Sequence, residues 1–361
     1  MEKIAVYVGP YAYGKRWDET NLESRGIGGS EIWAARIAVE FARGGYDVWV
    51  FGDPETGHDS LEGVHYRRWE NFGRICREER FDHIITSRRV DAIDNSVPCD
   101  DIILMTHDIL VIGCERYEDL KPGRIRKICY QSLSQKLILQ KRYGIPDDKF
   151  MRTFQAIDME PYADTDDSRK ENCMLWSTGL NRGLHRIAED IIPRVRKVVP
   201  DFTVYVSHYQ ESIGNTLPEG LVFLGNLPKS ELVRYQRQSK VFTYPNTGLM
   251  DDGGYNGETF SITTIENAMA GAVPILGRWG CWFSTLEGPY GGFVGDGLYE
   301  NILKPMDPRN VPEFGNEMVI KTVRCLTDEE YRTELAAQAR DMCRKYTWQA
   351  AAATFTDNFL K

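Results

Sequence analysis

The chain has 361 residues, 42% hydrophobic and 27% charged, which is the composition of a folded protein long enough for two domains. Its 53 acidic against 44 basic residues give a formal charge of −9, which argues against general nucleic-acid binding because that needs a basic face. Strand-like and helix-like segments then follow one another from the first residues. Residues 3–9 (KIAVYVG) read as a short buried strand, and after a glycine-rich loop residues 30–43 read as a helix with Ile32, Ala35, Ile37 and Phe41 inward. Gly44 and Gly45 stop that helix, and residues 47–52 (DVWVFG) return as a strand. Further strands are expected at 81–86, 101–105, 128–131 and 151–156. Strands separated by helices imply parallel pairing with right-handed crossovers.

Residues 158–172 (DMEPYADTDDSRKEN) are polar, acidic and without apolar period, so they read as a linker. The alternation then restarts with strands at 173–177, 202–207, 221–224, 241–245 and 273–277. Helices are expected at 182–199, with Leu184, Ile187, Ile191 and Val195 as its apolar stripe, and at 229–239, 260–271 and the tail from 328. The expected organisation is a first domain over 1–160 and a second over 161–340. A last helix, 341–361, packs back on the first domain. Both halves are α/β and doubly wound, which places the largest concavity between them at the carboxyl ends of the strands.

The amino terminus is too short in apolar residues for a signal peptide, and no stretch approaches the ~18 apolar residues of a membrane span. The expectation is a cytoplasmic protein, at most peripheral to a membrane; Arg124, Arg126 and Lys127 are either a contact for anionic lipid or a solvated surface. Eight cysteines (Cys76, Cys99, Cys114, Cys129, Cys173, Cys281, Cys325, Cys343) show no CxxC pair and no zinc spacing, and read as buried thiols.

The most informative stretch is 257–274, GETFSITTIENAMAGAVP. A helix beginning near Ser261 presents unpaired N–H groups and a positive dipole end, which bind phosphate without a motif lysine. With Ile262 at zero on the helical wheel, Ile265 and Met269 fall within about 60° on one side and Glu266 about 40° on the other. Glu266 therefore borders the buried stripe, where a carboxylate must be hydrogen-bonded. Either sugar hydroxyls or a neighbouring backbone group or arginine would serve.

Glu258, Glu266 and the following Asn-Ala-Met-Ala-Gly-Ala-Val-Pro-Ile run resemble the signature of family-4 retaining glycosyltransferases of the GT-B fold, two Rossmann-like domains with a cleft between them. The resemblance implies that Glu258 faces the transferred sugar and Glu266 the ribose hydroxyls. It also implies that the backbone of Phe260, Ser261, Ile262 and Thr263 takes the diphosphate. Gly26-Ile27-Gly28-Gly29-Ser30-Glu31 resembles the family's glycine-rich loop, with Gly28 and Gly29 nearest the ligand; a tight turn into a helix is the other use of such glycines. Thr178 to Leu184 (TGLNRGL) resembles the place of a basic residue on the donor phosphates, which makes Arg182 the candidate. Many members carry an arginine several residues earlier plus a lysine; Ser177 and Thr178 occupy the earlier region in this chain.

His107-Asp108, after a strand, resembles the family's histidine beside the sugar, with Asp108 either orienting the imidazole or capping a turn; a structural histidine is the alternative. Leu224-Gly225-Asn226-Leu227 resembles the turn that takes the nucleobase. Trp279 and Trp282 either stack on the ligand or form an apolar lid. What the resemblance implies is sugar transfer with retention from a UDP- or GDP-linked donor to a glycan, lipid-linked or glycoprotein acceptor. The donor β-phosphate assists acceptor deprotonation, and neither a cofactor nor a metal is involved. Asp164-Thr165-Asp166 matches the DxD string of metal-dependent transferases but falls in the linker. The competing functions are a sugar-nucleotide epimerase or hydrolase of the same shape, a non-catalytic nucleotide-sugar-binding protein, and a dinucleotide oxidoreductase, for which the GxGxxG fingerprint is missing.

Overall fold

Continuous apolar runs become strands buried on both faces, and the amphipathic stretches between them become the covering helices. The computed structural model describes residues 1–11, 16–22, 27–60, 62–163, 170–208, 217–246, 258–277, 280–287, 289–295 and 311–359. Gly26, Gly257, residues 164–166, Trp279 and the side chain of Trp282 lie outside this description. The chain forms two units, Met1–Ala156 together with Tyr346–Lys361, and Ile157–Lys345.

In the first unit the strands are β1 (Lys3–Tyr7), β2 (Asp47–Gly52), β3 (His58–Asp59), β4 (Val64–Arg68), β5 (His83–Ser87), β6 (Asp101–Met105), β7 (Ile125–Tyr130) and β8 (Phe150–Arg152). They lie in the order β3-β4-β2-β1-β5-β6-β7-β8, parallel throughout except for β3 against β4. Helices Gly29–Arg43 and Trp348–Phe359 cover one face, where Trp33, Ala34, Ala38, Phe41 and Phe355 are fully buried. Ile32, expected inward, is only half-buried; Trp33, next to it, fills the core instead. Helices Phe72–Glu79 and Leu133–Tyr143 cover the other face. The last helix is held by Phe355 and Phe359 against Phe41, with ring centroids 6.0 and 6.2 Å away, and by Arg126, which donates to the Asn358 carbonyl at 3.0 Å. A fully buried phenylalanine such as Phe355 contributes about 1.5–3 kcal/mol.

In the second unit β9 (Cys173–Trp176), β10 (Thr203–Ser207) and β11 (Leu221–Gly225) form one parallel group, and β12 (Val241–Tyr244), β13 (Val273–Gly277) and β14 (Phe293–Val294) another. Glu171 N–H donates to the Gln238 carbonyl at 2.8 Å and Lys240 N–H to that of Cys173 at 3.2 Å, which joins β9 to β12. The order is then β11-β10-β9-β12-β13-β14, and it reverses between β9 and β12. In open α/β sheets ligands bind beyond the carboxyl ends of the strands at such a reversal.

Two local expectations need correction. The helix expected over 182–199 opens with a separate turn, Leu180–Arg182, and carries a wide π-type turn at Ile187–Ile191 before its final stretch Ile192–Val195. Pro193 has no N–H to donate to the preceding turn, and the wider turn there absorbs the break. The expected strand 151–156 stops at Arg152, because Gln155 turns into the site described below. At the start of the expected linker Tyr162, 2% exposed, donates its hydroxyl to Gln236 at 2.8 Å.

All eight cysteines are buried free thiols. No helix among the described residues is long and apolar enough to cross a membrane.

Candidate functional site

The carboxyl ends of β9 and β12 carry Thr178, Arg182, Tyr244 and the segment entering helix Ile262–Met269. Gly183, at φ +106°, lets the Arg182 turn press against β12, since a Cβ there would stand 3.0 Å from the Pro245 carbonyl oxygen. That approach brings Arg182 into an ion pair with Glu258. Arg182 keeps 34% of its side chain exposed whereas Glu258 keeps 9%. Tyr244 donates its hydroxyl to Glu258 Oε2 at 3.1 Å and has Thr178 Oγ1 3.3 Å away. Burial pushes the Tyr244 pKa up, with Arg182 opposing, so the phenol keeps its proton.

Helix Ile262–Met269 is shorter than the expected 260–271, because Gly271 has left the helix at φ +81°. Its N-cap, Ser261, turns its hydroxyl to Thr264 Oγ1 at 2.8 Å and makes no capping bond, so the first-turn amides are not covered by that side chain. Phe260 and Ser261 are buried, while Ile262 and Thr263 are half-buried at the tip.

On the helical wheel Glu266 borders the buried stripe, and each oxygen of its carboxylate has one partner, which leaves acceptor sites for a ligand. Lys229 forms an ion pair with Oε1, and Gln236 Nε2 donates to Oε2 at 3.1 Å while its own oxygen accepts from Tyr162. Of the partners considered for Glu266, a sugar hydroxyl, a backbone group or an arginine, the described residues supply neither of the last two; a lysine and a glutamine amide stand there. Asn226 is exposed in the turn after β11. Two groups of that turn are used by the protein itself: the Gly225 carbonyl accepts from Ser207 Oγ at 3.0 Å, and Leu227 N–H donates to the same hydroxyl at 3.3 Å.

The first unit has its own reversal, between β1 and β5. Gly28 and Gly29 open helix Gly29–Arg43 there, and a Cβ on Gly28 would stand 2.6 Å from Glu31 Oε2. Glu31 is buried and accepts from Ser30 Oγ at 2.8 Å; burial raises its pKa. Arg88, at a positive φ of 66°, donates to Ser30 Oγ at 3.3 Å and pairs with Asp108 at 2.7 Å.

Asp108 therefore does not orient His107, because Arg88 offers it a full opposite charge. Gln155 holds the imidazole instead, its Nε2 2.8 Å from Nδ1, with the edge of Trp33 at 5.2 Å between ring centroids. An amide that donates to Nδ1 leaves the ring proton on Nε2. Burial first, and the Arg88 cation second, push the His107 pKa down to about 3. It is a neutral group throughout the physiological range. An unfolded histidine takes up a proton near pH 6.5, so the unfolded state binds more protons below that value and stability falls with pH until about 3. In denaturant unfolding, His107→Gln is expected to remove about 2 kcal/mol of the stability lost between pH 7 and pH 5. An unchanged pH dependence would mean that the native imidazole takes up its proton in the same range as the unfolded one.

Among the described residues, Asp18, Glu19 and His58 are the one grouping whose donor atoms lie within 4.8 Å of one another. His58 Nδ1 donates to the Thr56 carbonyl at 3.1 Å and Nε2 faces Glu19 at 3.3 Å, an ordinary ion-pair arrangement.

Tyr244, Lys229, Gln236, Arg88 and Gln155 were not singled out from the sequence. Their signal was weak: each is a common residue in an unremarkable segment, and only the fold brings it to a candidate group. For Tyr244 a cue existed, since a tyrosine ending a buried strand needs a partner for its hydroxyl.

No protein-family model matches the sequence, and no curated protein matches it. Solved structures do. Sucrose-phosphate synthase from Thermosynechococcus elongatus is similar over 100% of this chain and 98% of its own, at 13% identity and a TM-score of 0.68. A glycosyltransferase from Rickettsia africae matches over 99% and 98%, at 12% identity and 0.69. Anabaena HepE, solved in complex with UDP-glucose, matches over 100% of both chains at 11% identity and 0.67. The chain has the GT-B fold, with two doubly wound Rossmann-like units.

Proposed function

We propose that this chain is a glycosyltransferase that moves a sugar from a nucleotide diphosphate sugar to a glycan, lipid-linked or glycoprotein acceptor with retention, in the manner of family 4. One observation carries this: at the strand reversal of the second unit, an N-terminus without a side-chain cap lies between two acids eight residues apart, each already matched with a cation. A UDP- or GDP-linked donor has complementary chemistry. Its diphosphate suits the amides of residues 260–263 and the guanidinium of Arg182. Its ribose hydroxyls suit Glu266, its base the Asn226 turn, and its sugar Glu258.

In the first unit Gly28 and Gly29 permit close approach of backbone to ligand, and the Nε2–H of neutral His107 is a donor for a sugar hydroxyl. The bond from the anomeric carbon to the β-phosphate oxygen breaks, and the acceptor oxygen bonds to that carbon on the same face. The acceptor's proton passes to the departing phosphate. Arg182 stabilises the charge that develops there, an effect worth several kcal/mol in comparable sites. The proposed setting is the cytoplasm, at most peripheral to a membrane.

A thermal-shift panel of UDP-, GDP- and ADP-sugars tests this, since a bound donor raises the melting temperature by mass action. At least one is expected to do so; a flat panel overturns the proposal. The chemistry needs no divalent cation, so turnover in excess EDTA is expected to stay within about twofold of the untreated rate. Complete loss restored by manganese would contradict the metal-free mechanism.

A further inference from the structure

We propose that Tyr244 is a positioning residue for this reaction: it holds the Glu258 carboxylate in place when Arg182 leaves it for the donor's diphosphate. The inference rests on the transferase function proposed above. Its starting point is that Glu258 and Arg182 cannot keep the arrangement seen here during turnover. A guanidinium bound to Glu258 is not available to the leaving group, and a diphosphate offers it more negative charge in a geometry suited to two parallel hydrogen bonds.

Among the described residues, the two partners of Glu258, Arg182 and Tyr244, differ in their freedom to move. Arg182 is a long side chain, 34% exposed, on a short turn. Tyr244 is 1% exposed at the end of β12, with its ring edge-on to Trp176 at 5.4 Å and tilted against Phe242 at 5.4 Å. Glu258 itself is 9% exposed, so it cannot turn to water for compensation once Arg182 has gone. The Tyr244 hydroxyl can stay. It is neutral, does not compete for the diphosphate, and its proton is directed to Glu258 at 3.1 Å. Thr178 Oγ1, 3.3 Å away, can donate in turn to the phenol oxygen and so fix the direction of the relay.

Tyr244→Phe keeps the ring packing and removes only the hydroxyl. Nucleoside diphosphate release from the nucleotide sugar chosen by the thermal-shift panel is expected to show kcat lowered about 10- to 100-fold, with donor KM within about twofold. In a Glu258→Ala background the same change is expected to lower kcat less than twofold, because the group being positioned is gone. Equal losses in both backgrounds, or no loss in the first, overturn the proposal.

A second arm needs no nucleotide. The melting-temperature shift caused by Tyr244→Phe is expected to shrink by at least half when Glu258 is alanine, and an undiminished shift breaks the Tyr244–Glu258 link. A wild-type protein that turns over no nucleotide sugar overturns the transferase function, and the positioning role with it. The second arm then still reports whether the two side chains are coupled.

Discussion

Replacing Arg182 by alanine is expected to lower turnover about 10²- to 10³-fold while weakening donor binding far less, as follows when a cation acts mainly on charge that develops on a leaving group. The departing diphosphate gains charge as the glycosidic bond breaks, so a guanidinium there contributes more in the transition state than in the ground state. Arg182 has a second task in the donor-free protein, where it neutralises a carboxylate that is only 9% exposed. The alanine variant leaves that carboxylate with the Tyr244 hydroxyl in place of a cation, so a modest loss of thermal stability should accompany the loss of activity. Arg182→Lys should recover only part of the rate, since an ammonium offers no planar fork to two phosphate oxygens. Steady-state kinetics on the three proteins checks this. A raised KM with unchanged kcat would mean that Arg182 binds the donor without favouring its breakdown.

Glu266→Ala should weaken nucleoside diphosphate affinity about 10- to 100-fold, the loss of hydrogen bonds to a charged group. The more diagnostic result concerns the ribose. If Glu266 reads its hydroxyls, the wild type should prefer a nucleoside diphosphate over its 2′-deoxy form, and the variant should bind both alike. Titration calorimetry with the two nucleotides gives the answer directly. Unchanged affinity together with an unchanged ribose preference would leave Glu266 as a structural partner of Lys229 and Gln236 alone. Lys229 complicates the bare affinity, since the variant frees its charge near an anionic ligand; the comparison between the two sugars cancels that effect.

What could be read from the sequence follows from how each element is buried. Strands such as Lys3–Tyr7, Asp47–Gly52 and Val273–Gly277 are covered on both faces and therefore appear as unbroken apolar runs. Val64–Arg68 (VHYRR) has one wet face towards the sheet edge, and helix Phe72–Glu79 carries four charges in eight residues, so neither stood out. Helix Leu133–Tyr143 had signals that went unused: Ser132 accepts from Gln135 N–H as its N-cap, and Gly144 ends it at φ +69°.

The site divides in the same way. Glu258, Glu266 and the helix between them lie close in sequence, so their spacing was visible. The charges that match them come from other elements, Arg182 from the turn after β9 and Lys229 from the start of helix Lys229–Gln238, and only tertiary folding pairs them. His107 was found by its place after a strand. Its orienting partner was not legible: Asp108, adjacent in sequence, was left open between orienting the ring and capping a turn, whereas Gln155 comes from a segment 48 residues away.

A crystal structure of the protein with a bound nucleoside diphosphate would test the central physical claim most directly. Diphosphate oxygens are expected on the amides that begin helix Ile262–Met269, with Arg182 swung off Glu258 onto the phosphates and the ribose against Glu266. A nucleotide bound elsewhere, with that helix tip vacant and the Arg182–Glu258 pair intact, would contradict it.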